Sequence, residues 1–516
     1  MSHASPDRRA ASANVKTLTE IELKFLVPDA ARAALAAEIG RGSATLERRA
    51  LAAMYLDTAD RRLAQHGIAW RLRREGRRWV QALKAGGTNA LQRFEHEVVR
   101  PDATHDASEH AGTAVGDQLI AVLQQAEADG VALGVRFQTD VRRMARRVRT
   151  RGAVVEVAFD KGQLSATGAT QRIHEVEFEL VSGSATAMLA LVERWRHRFG
   201  LVYDPRSKAE RGGRLAEGSP FPPVRKANPP RYADTATATE ALGACVDECL
   251  AHMTRNAIAV IHGDPALRVE HVHQLRVGIR RLRSALRSFQ GWAPSPPADL
   301  VDGLRALFTT LGLSRDRDVL ATGVMAELAR QGAPALTLSA PSAGPDPVAT
   351  VSADATQRTL LGWIAWRASL AEPLAAQVEE APAPDDAPAF HHHAERRLAR
   401  WHRHIVAAER AFDALDDAGL HALRKRIKRQ RYAVEFFAPV LRRRQVECYL
   451  KLLTVVQDRM GELNDLFVAR DRYQALVASD PAAWFALGWL AARVAQSRAL
   501  AKPELERLAK GSPPTT

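Results

Sequence analysis

Near the N-terminus, Glu20-Ile21-Glu22-Leu23-Lys24 sets two carboxylates and an amine at alternate positions with apolar residues between them. Successive side chains of an extended strand point to opposite faces, so Glu20, Glu22 and Lys24 would share one face. The pattern recurs along the chain. Arg71 and Arg73 alternate with Trp70 and Leu72, Lys84 follows across a hairpin, and Glu95 and Glu97 sit between Phe94 and Val98. Glu156 and Asp160 share parity against Val155, Val157 and Phe159, and Glu175, Glu177 and Glu179 alternate with Val176, Phe178 and Leu180. An antiparallel sheet with one solvated face would also alternate, without any chemistry. Such a face usually mixes its signs, whereas here acids gather on some strands and bases on others. If the sheet closes, the rows face each other across a charged interior, which is costly unless counter-ions fill it. The natural filling is divalent metal on the carboxylates and phosphate on the Arg and Lys residues.

A second constellation lies in the other half of the chain. His273, Arg276, Arg280, Arg283 and Arg287 fall on one stripe of a helix, opposite a Leu/Ile/Phe stripe. Only Glu270 is acidic between Arg268 and Arg287. His421, Arg424, Lys428 and Arg431 repeat the spacing, with Lys425 beside them and no acid among them. Like charges at this spacing weaken an isolated helix, and a bound polyanion would remove the penalty. The apolar positions repeat as well: Leu275, Ile279, Leu282, Leu286 and Phe289 answer to Leu423, Ile427, Gln430, Val434 and Phe437. Gly312 to Asp316 corresponds to Gly461 to Asp465. Two small helical bundles related by approximate two-fold symmetry are therefore expected. His271 and His273 lack carboxylate or thiol partners at metal-ligand spacing, and His391-His392-His393 reads as exposed loop beside a Pro-rich stretch.

The elements that must position these residues follow from periodicity. From Thr19 to about Arg211 short alternating segments are broken by turns such as Arg74-Glu75-Gly76, which is antiparallel β patterning, with helices around 30–40 and 185–200. Pro-rich sequence from Gly218 to Pro230 marks a linker, and after Tyr232 the period becomes helical. Pro/Ala/Asp-rich stretches, Ala340 to Ala355 and Glu379 to Ala389, punctuate the helical half. The domain boundaries expected are 18–213, a linker 214–231, and 232–501.

With 516 residues the chain is long enough for at least two cores. Lys plus Arg number 73 against 59 Asp plus Glu, a net charge of +14, so the expected partner is a polyanion. Aromatic residues are 6% and no RNA-stacking motif accompanies the basic runs, which ranks nucleic acid last among polyanions. Three cysteines are too few for a disulfide framework, Met1 to Lys16 has no apolar signal core, and no run is long enough to span a membrane. A cytoplasmic protein is expected. There is no Walker loop or kinase signature.

The N-terminal series resembles the CYTH family, the triphosphate tunnel metalloenzymes, over roughly Leu18 to Gly213. Glu20-Ile-Glu22-Leu-Lys24 matches its ExExK signature, and Tyr55-Leu-Asp57-Thr58, Arg71-Leu-Arg73, Lys84, Glu95-His-Glu97, Arg143, Glu156, Glu175 to Glu179 and Ser207-Lys208 follow in the family's order. The resemblance implies an eight-stranded antiparallel barrel that binds a triphosphate, the first part of an α+β multidomain chain. Glu20, Glu22, Glu177 and Glu179 would then hold Mg²⁺ or Mn²⁺, with Glu95, Glu97 and Glu175 completing the candidate acidic set. Lys24, Arg71, Arg73, Lys84, Arg143 and Lys208 would grip phosphates, and Glu20, Glu22 and Lys24 are the catalytic candidates. The helical half, about Ala233 to Ala501, resembles the CHAD domain, the conserved histidine α-helical domain, on His273-Gln-Leu-Arg276 and His421-Ala-Leu-Arg424-Lys425. It implies an all-α domain of two pseudo-symmetric bundles that binds long-chain polyphosphate through His273, Arg276, Arg280, Arg283, His421, Arg424, Lys425, Lys428 and Arg431. The expected activity is metal-dependent hydrolysis of inorganic triphosphate to phosphate and pyrophosphate. The alternatives are a non-catalytic polyphosphate-binding protein of polyphosphate granules, a hydrolase of another triphosphate such as thiamine triphosphate, and cyclase chemistry.

Overall fold

The computed structural model describes residues 19–41, 45–87, 89–322, 327–328, 330–333, 344–371 and 390–516, the side chains of 313–322 excepted. The chain divides into two compact units between Pro220 and Phe221.

In the first unit eight antiparallel strands follow the period-two segments: β1 (Thr19–Leu26), β2 (Glu47–Thr58), β3 (Ile68–Glu75), β4 (Arg78–Gly86), β5 (Gln92–Arg100), β6 (Leu133–Thr150), β7 (Ala153–Ala166) and β8 (Ala169–Gly183). They pair in the order β5-β4-β3-β2-β6-β7-β8-β1. Thr19, Glu20 and Ile21 of β1 pair back onto Phe94, Arg93 and Gln92 of β5, so the sheet closes into a barrel. A two-residue strand, β9 (Val202–Tyr203), completes the free edge of β1 at Phe25 and Leu26. The β7–β8 hairpin turns on Thr167 and Gly168, with φ of 44° and 79°, the paired positive values that a tight primed turn requires.

The outward parity of the barrel is apolar and covered by helices, and the inward parity carries the charged rows together with an apolar patch of Leu51, Tyr55, Phe137, Val141, Leu164 and Ile173. Helices α1 (Arg32–Gly40) and α4 (Ala185–Phe199) pack on β6 and β7, and α4 also on β8. There Phe178 meets Phe25 and Trp195 edge to face at 5.8 and 5.9 Å. The four-residue α2 (Arg62–Gln65) and helix α3 (Ala114–Ala128) cover Trp70, Leu83 and Leu56 with Leu63, Leu119 and Val122. Helix α5 (Lys208–Ala216) packs on β6, β7 and β8, with Leu215 in an apolar cluster with Leu51, Tyr55 and Phe137. Its approach needs Gly212, where a Cβ would sit 2.1 Å from the Phe137 ring. Two corrections arise. Residues 208–211 are helical rather than the end of the strand region, and α3 was not anticipated. Its apolar positions are diluted by Gly116 and its Gln pair, so the helical period is weak there.

The second unit contains α6 (Ala238–His262), α7 (Arg268–Phe289), α8 (Ala298–Thr322), α9 (Pro347–Ser352), α10 (Asp354–Ser369), α11 (Phe390–Arg410), α12 (Asp417–Phe437), α13 (Arg443–Leu476) and α14 (Ala483–Lys510). Helix α7 packs against α6 and α8, and α10 packs on both of those; α12 packs against α11 and α13, and α14 packs on both of those. The internal repeat is thus a duplicated four-helix arrangement. The signature helices α7 and α12 pack on each other. Phe289 and its repeat equivalent Phe437 meet edge to face at 5.3 Å, as equivalent residues do beside a two-fold axis. Buried Arg281 reaches across to Glu435 and covers the rings of Tyr432 and Phe436.

His391, His392 and His393 are not loop. They form the first turn of α11, where buried Phe390 anchors the helix start and the His393 ring lies 5.2 Å from Trp292. The side chains of 313–316, the stretches 340–343 and 379–389, and Met1 to Leu18 lie outside the described residues. No helix among the described residues is long and apolar enough to cross a membrane.

Phe178→Ala should lower barrel stability by about 3–5 kcal/mol, the cost of a large buried ring plus the cavity left behind. The measurement is the denaturant midpoint followed through the barrel's strand signal. An unchanged midpoint would show that the outward aromatic cluster does not hold the barrel together.

Candidate functional site

Register fixes which side chains look inward. Glu22 lies opposite Glu179 and Lys24 opposite Glu177. Glu179 lies opposite Glu156 and Glu175 opposite Asp160 on the next strand, and Asp160 pairs with Arg143 on the one after. Across the barrel Arg71 and Glu97 both flank Ala82, and Lys84 lies opposite Glu95. The charged rows therefore share the interior.

They meet as two ionic networks. In the first, Lys208 Nζ reaches Asp160 and Glu177 at 2.7 Å each and Glu175 at 2.5 Å. Arg143 grips Asp160 with two nitrogens at 2.7 and 2.8 Å and also reaches Glu177, while Arg211 pairs with Glu175. In the second, Lys84 Nζ joins Glu20 at 2.9 Å to Glu95 at 3.0 Å. Arg71 contacts Glu97 at 3.5 Å and Glu95 at 3.6 Å, Arg73 contacts Glu97 at 3.2 Å and Glu75, and Arg93 holds Glu22 at 3.0 Å.

The electrostatics follow from burial against partners. Burial, with repulsion from Glu22, Glu95 and Glu179, pushes the Glu20 carboxyl well above the usual range, and Lys84 counters only part of this. Although burial opposes it, Lys208 and Arg143 hold Glu177 well below that range. Burial, with Arg211 and Arg93 nearby, pushes the Lys24 ammonium down to about 8 against the pull of Glu175 and Asp204.

In the helical unit the two basic stripes converge. Arg276, Arg280 and Arg283 of α7 surround the Phe308 ring of α8 at 4.6, 5.6 and 6.0 Å from its centroid. Burial, then Arg424 and Arg280, push the Lys428 ammonium down to about 7, with Asp465 opposing and Arg431 adding to the repulsion. His421 donates to Asn464 Oδ1 at 3.1 Å, Arg431 donates to Gln457 at 3.1 Å and pairs with Glu435 at 3.1 Å, and Lys425 is exposed. His273 lies half-buried in its stripe, whereas His271 is fully buried and donates to Asn256 at 3.1 Å, a structural placement.

Comparison with known families decides the identity of both units. The CYTH domain matches residues 18–212 and the CHAD domain matches residues 244–474. The chain is a CYTH domain fused to a CHAD domain. An inorganic triphosphatase of Haemophilus influenzae is 29% identical over 158 residues, 31% of this chain and 44% of that protein, so this chain spans less than half of that relative's length. The CHAD domain of the plant Ricinus communis is 30% identical, covering 55% of this chain and 96% of that one, with a TM-score of 0.43. An adenylyl cyclase candidate from Hippeastrum, described with a dominant triphosphatase activity, is 18% identical over 39% of this chain and 96% of its own, with a TM-score of 0.29.

Within the CYTH domain, Asp160, Glu175 and Glu177 bring carboxylate oxygens within 4.8 Å of one another, a spacing that suits one divalent cation. Glu20, Glu22, Glu95 and Glu179 form a second acidic group, in which burial and mutual repulsion raise the Glu20 carboxyl. Asp57 and Tyr55 have structural placements. The Asp57 carboxylate accepts from the backbone N–H of Leu63 and Ala64 at the start of α2, and Tyr55 stacks on Phe137 at 4.4 Å while its hydroxyl shares a hydrogen bond with the inward Arg71.

The sequence reading passed over Arg93, Glu75, Arg211 and the buried pair Asp204–Arg206, whose contact is 2.8 Å. Arg93 and Glu75 were readable, since they share parity with Glu95 and with Arg71 and Arg73. Arg211 was not, because it enters from a helix, three residues beyond Lys208.

Lys208→Met should destabilise the CYTH domain by about 3 kcal/mol, because Arg143 and Arg211 compensate only part of the three carboxylates it leaves behind. Lys208→Arg should recover much of the loss. Thermal unfolding of the three proteins in chelator checks this; a Met variant as stable as wild type would remove Lys208 from the network.

Proposed function

We propose that the CYTH domain hydrolyses inorganic triphosphate to phosphate and pyrophosphate with Mg²⁺ or Mn²⁺, and that the CHAD domain binds long-chain polyphosphate. The observation that carries the first part is the pairing inside the barrel: the inward cations are held by carboxylates that would serve a metal. A metal–triphosphate complex can enter by exchange of partners. Lys208, Arg143, Arg71, Arg73 and Lys84 would take its phosphates, and carboxylates they release, Asp160, Glu175 and Glu177 among them, would hold the cation. Each protein charge would exchange one partner for another, so the desolvation of these groups is not incurred again.

When bound, the metal would withdraw charge from phosphoryl oxygens and lower the pKa of a coordinated water. The residues of the chain supply the rest. Lys208 and Arg143 share the acids Asp160 and Glu177, so they would grip one phosphate group together. Arg71 and Arg73 share Glu97 and would grip the next. Lys24, at about 8, can exchange a proton at Nζ near neutral pH, which supports its catalytic candidacy. The similarity to the inorganic triphosphatase of Haemophilus influenzae supports the same reading.

Phosphate and pyrophosphate release from tripolyphosphate, thiamine triphosphate and nucleoside triphosphates, with Mg²⁺, Mn²⁺ or chelator, tests the substrate and the metal together. Glu22→Gln should reduce metal-dependent turnover roughly 100-fold or more while leaving the unfolding midpoint in place. Arg73→Ala should raise the KM for triphosphate more than the metal concentration at half-maximal rate. Wild-type turnover in Glu22→Gln would refute the metal role of β1.

For the CHAD domain the convergence of Arg280, Arg424 and Lys428 supports a polyanion site. It also sets a pH dependence. In the free protein Lys428 is half neutral near pH 7, and an anion raises its pKa, so binding takes up a proton. Affinity should fall as pH rises above 7, by up to about tenfold per unit, and Lys428→Arg should flatten the profile. Titration with polyphosphate between pH 6 and 9 checks the sign; affinity that rises with pH would contradict it.

A further inference from the structure

Four residues, Asp204-Pro205-Arg206-Ser207, join β9 to α5, and they meet Lys24 twice. The Asp204 N–H donates to the Lys24 carbonyl at 3.0 Å, and the Lys24 ammonium in turn donates to the Arg206 carbonyl. The turn is itself held by a buried ion pair. The Asp204 carboxylate accepts from the Arg206 backbone N–H at 2.9 Å and from two guanidinium nitrogens, Nε at 2.8 Å and Nη2 at 2.9 Å. Both side chains are buried, and although burial opposes it, Arg206 holds the Asp204 carboxyl below the usual range.

This pair is not needed for the charge balance of the tunnel. It cancels within itself, two residues apart, while the two networks close through other groups. Stability does not explain it either, since well-packed apolar residues of like volume commonly stabilise a fold as well as a buried ion pair does. Three hydrogen bonds onto one carboxylate fix the backbone between the two residues, so that the Arg206 carbonyl has one direction. That direction is toward Lys24. Lys84 and Lys208 are held by carboxylates, which a phosphate would have to displace, whereas the Lys24 ammonium is held by a neutral carbonyl oxygen. An ammonium carries three N–H groups on a flexible stem, and anchoring one of them sets where the other two point.

We propose that Asp204 and Arg206 are positioning residues for the triphosphate reaction: their ion pair fixes the turn whose carbonyl aims the Lys24 ammonium within the barrel. The inference rests on the reading of the CYTH domain as a triphosphate hydrolase in which Lys24 meets the substrate. Neither Asp204 nor Arg206 touches substrate in this account. Both act through Lys24.

The test is a double-mutant cycle on the full-length chain. One arm replaces the pair by apolar residues, Asp204→Leu with Arg206→Met; the other is Lys24→Met; the third protein carries all three changes. Turnover of tripolyphosphate with Mg²⁺ or Mn²⁺ is measured beside the unfolding midpoint, and equilibrium tripolyphosphate affinity is compared where Lys24→Met leaves too little turnover. The paired replacement should unfold near the wild-type midpoint yet lose roughly 10- to 100-fold in kcat/KM, mostly in kcat, the scale of loss from a misplaced reacting group. In the Lys24→Met background the same replacement should cost less than about threefold, because residues that act as one unit are not additive. Should the paired variant not fold, Asp204→Asn, which keeps the shape but turns an N–H₂ toward Arg206, is put through the same cycle with the same expectation. Wild-type turnover in the paired variant, or in Asp204→Asn where that variant stands in for it, overturns the proposal. An equal loss with and without the Lys24 ammonium also overturns it, since that is the signature of a purely structural pair. A wild-type chain that releases no phosphate from any triphosphate instead overturns the reading beneath the proposal, and the wild-type assay alone tells the two failures apart.

Discussion

Charge compensation inside a closed sheet is the constraint on which the CYTH domain is built. Once β1 pairs with β5 and the barrel closes, every inward carboxylate loses most of its water, and an isolated one would neutralise itself rather than remain charged. The interior answers with cations from several sources: Lys84, Arg71 and Arg143 from strands one removed from those of the acids, and Lys208 and Arg211 from α5. Most of the apolar residues of these strands face outward, and the inward apolar patch around Leu51, Tyr55, Phe137 and Leu164 packs against Leu215 of α5. The helices α1, α3 and α4 lie outside, and most of the apolar core of the domain is the layer between them and the barrel wall.

The compensation is uneven, and the unevenness has chemical content. Glu177 is over-served by Lys208 and Arg143 and is held charged, while Glu20 shares one lysine with Glu95 beside two further acids and is pushed toward its neutral form. A site in which some carboxylates are satisfied and others are repelled is ready for positive charge at the second kind. Burial, with Arg211 and Arg93 nearby, brings the Lys24 ammonium down to about 8, although Glu175 and Asp204 oppose the shift.

Period-two alternation made this barrel legible in the sequence. Each strand keeps one parity for acids or bases over several residues, and nothing but an extended chain would bring Glu175, Glu177 and Glu179 to one face. Parity gives faces but not partners. That Arg143 lies on Asp160, or that Arg93 holds Glu22, depends on strand order and register, which emerge from the closed sheet. Helix α5 was illegible for a local reason: nine residues containing Gly212 and Gly213 carry little helical signal, and the glycine that weakens the pattern is the one that lets the helix approach Phe137. In the helical half the stripes were long enough to read, whereas Arg281 lies off the stripe and finds Glu435 only because α7 and α12 cross. The triple histidine was misread because its Pro-rich flank suggested a loop, while Phe390 buries and starts a helix there.

The CHAD domain meets the opposite electrostatic problem with different means. Its stripes carry one sign, so neighbouring cations raise each other's energy instead of neutralising an acid. Burial, Arg424 and Arg280 bring the Lys428 ammonium down to about 7, and Arg276, Arg280 and Arg283 lie around the Phe308 ring. On the proposed reading the two domains would hold their ligands in different ways. In the barrel the inward charges are paired and would have to be exchanged, which would favour a ligand bringing its own cation and short enough to lie within a closed sheet. On α7 and α12 clustered cations repel one another, and a long anion would lower that repulsion in proportion to the number of cations it touches. Exchange of paired partners would then select for the composition of the ligand, and relief of repulsion for its length.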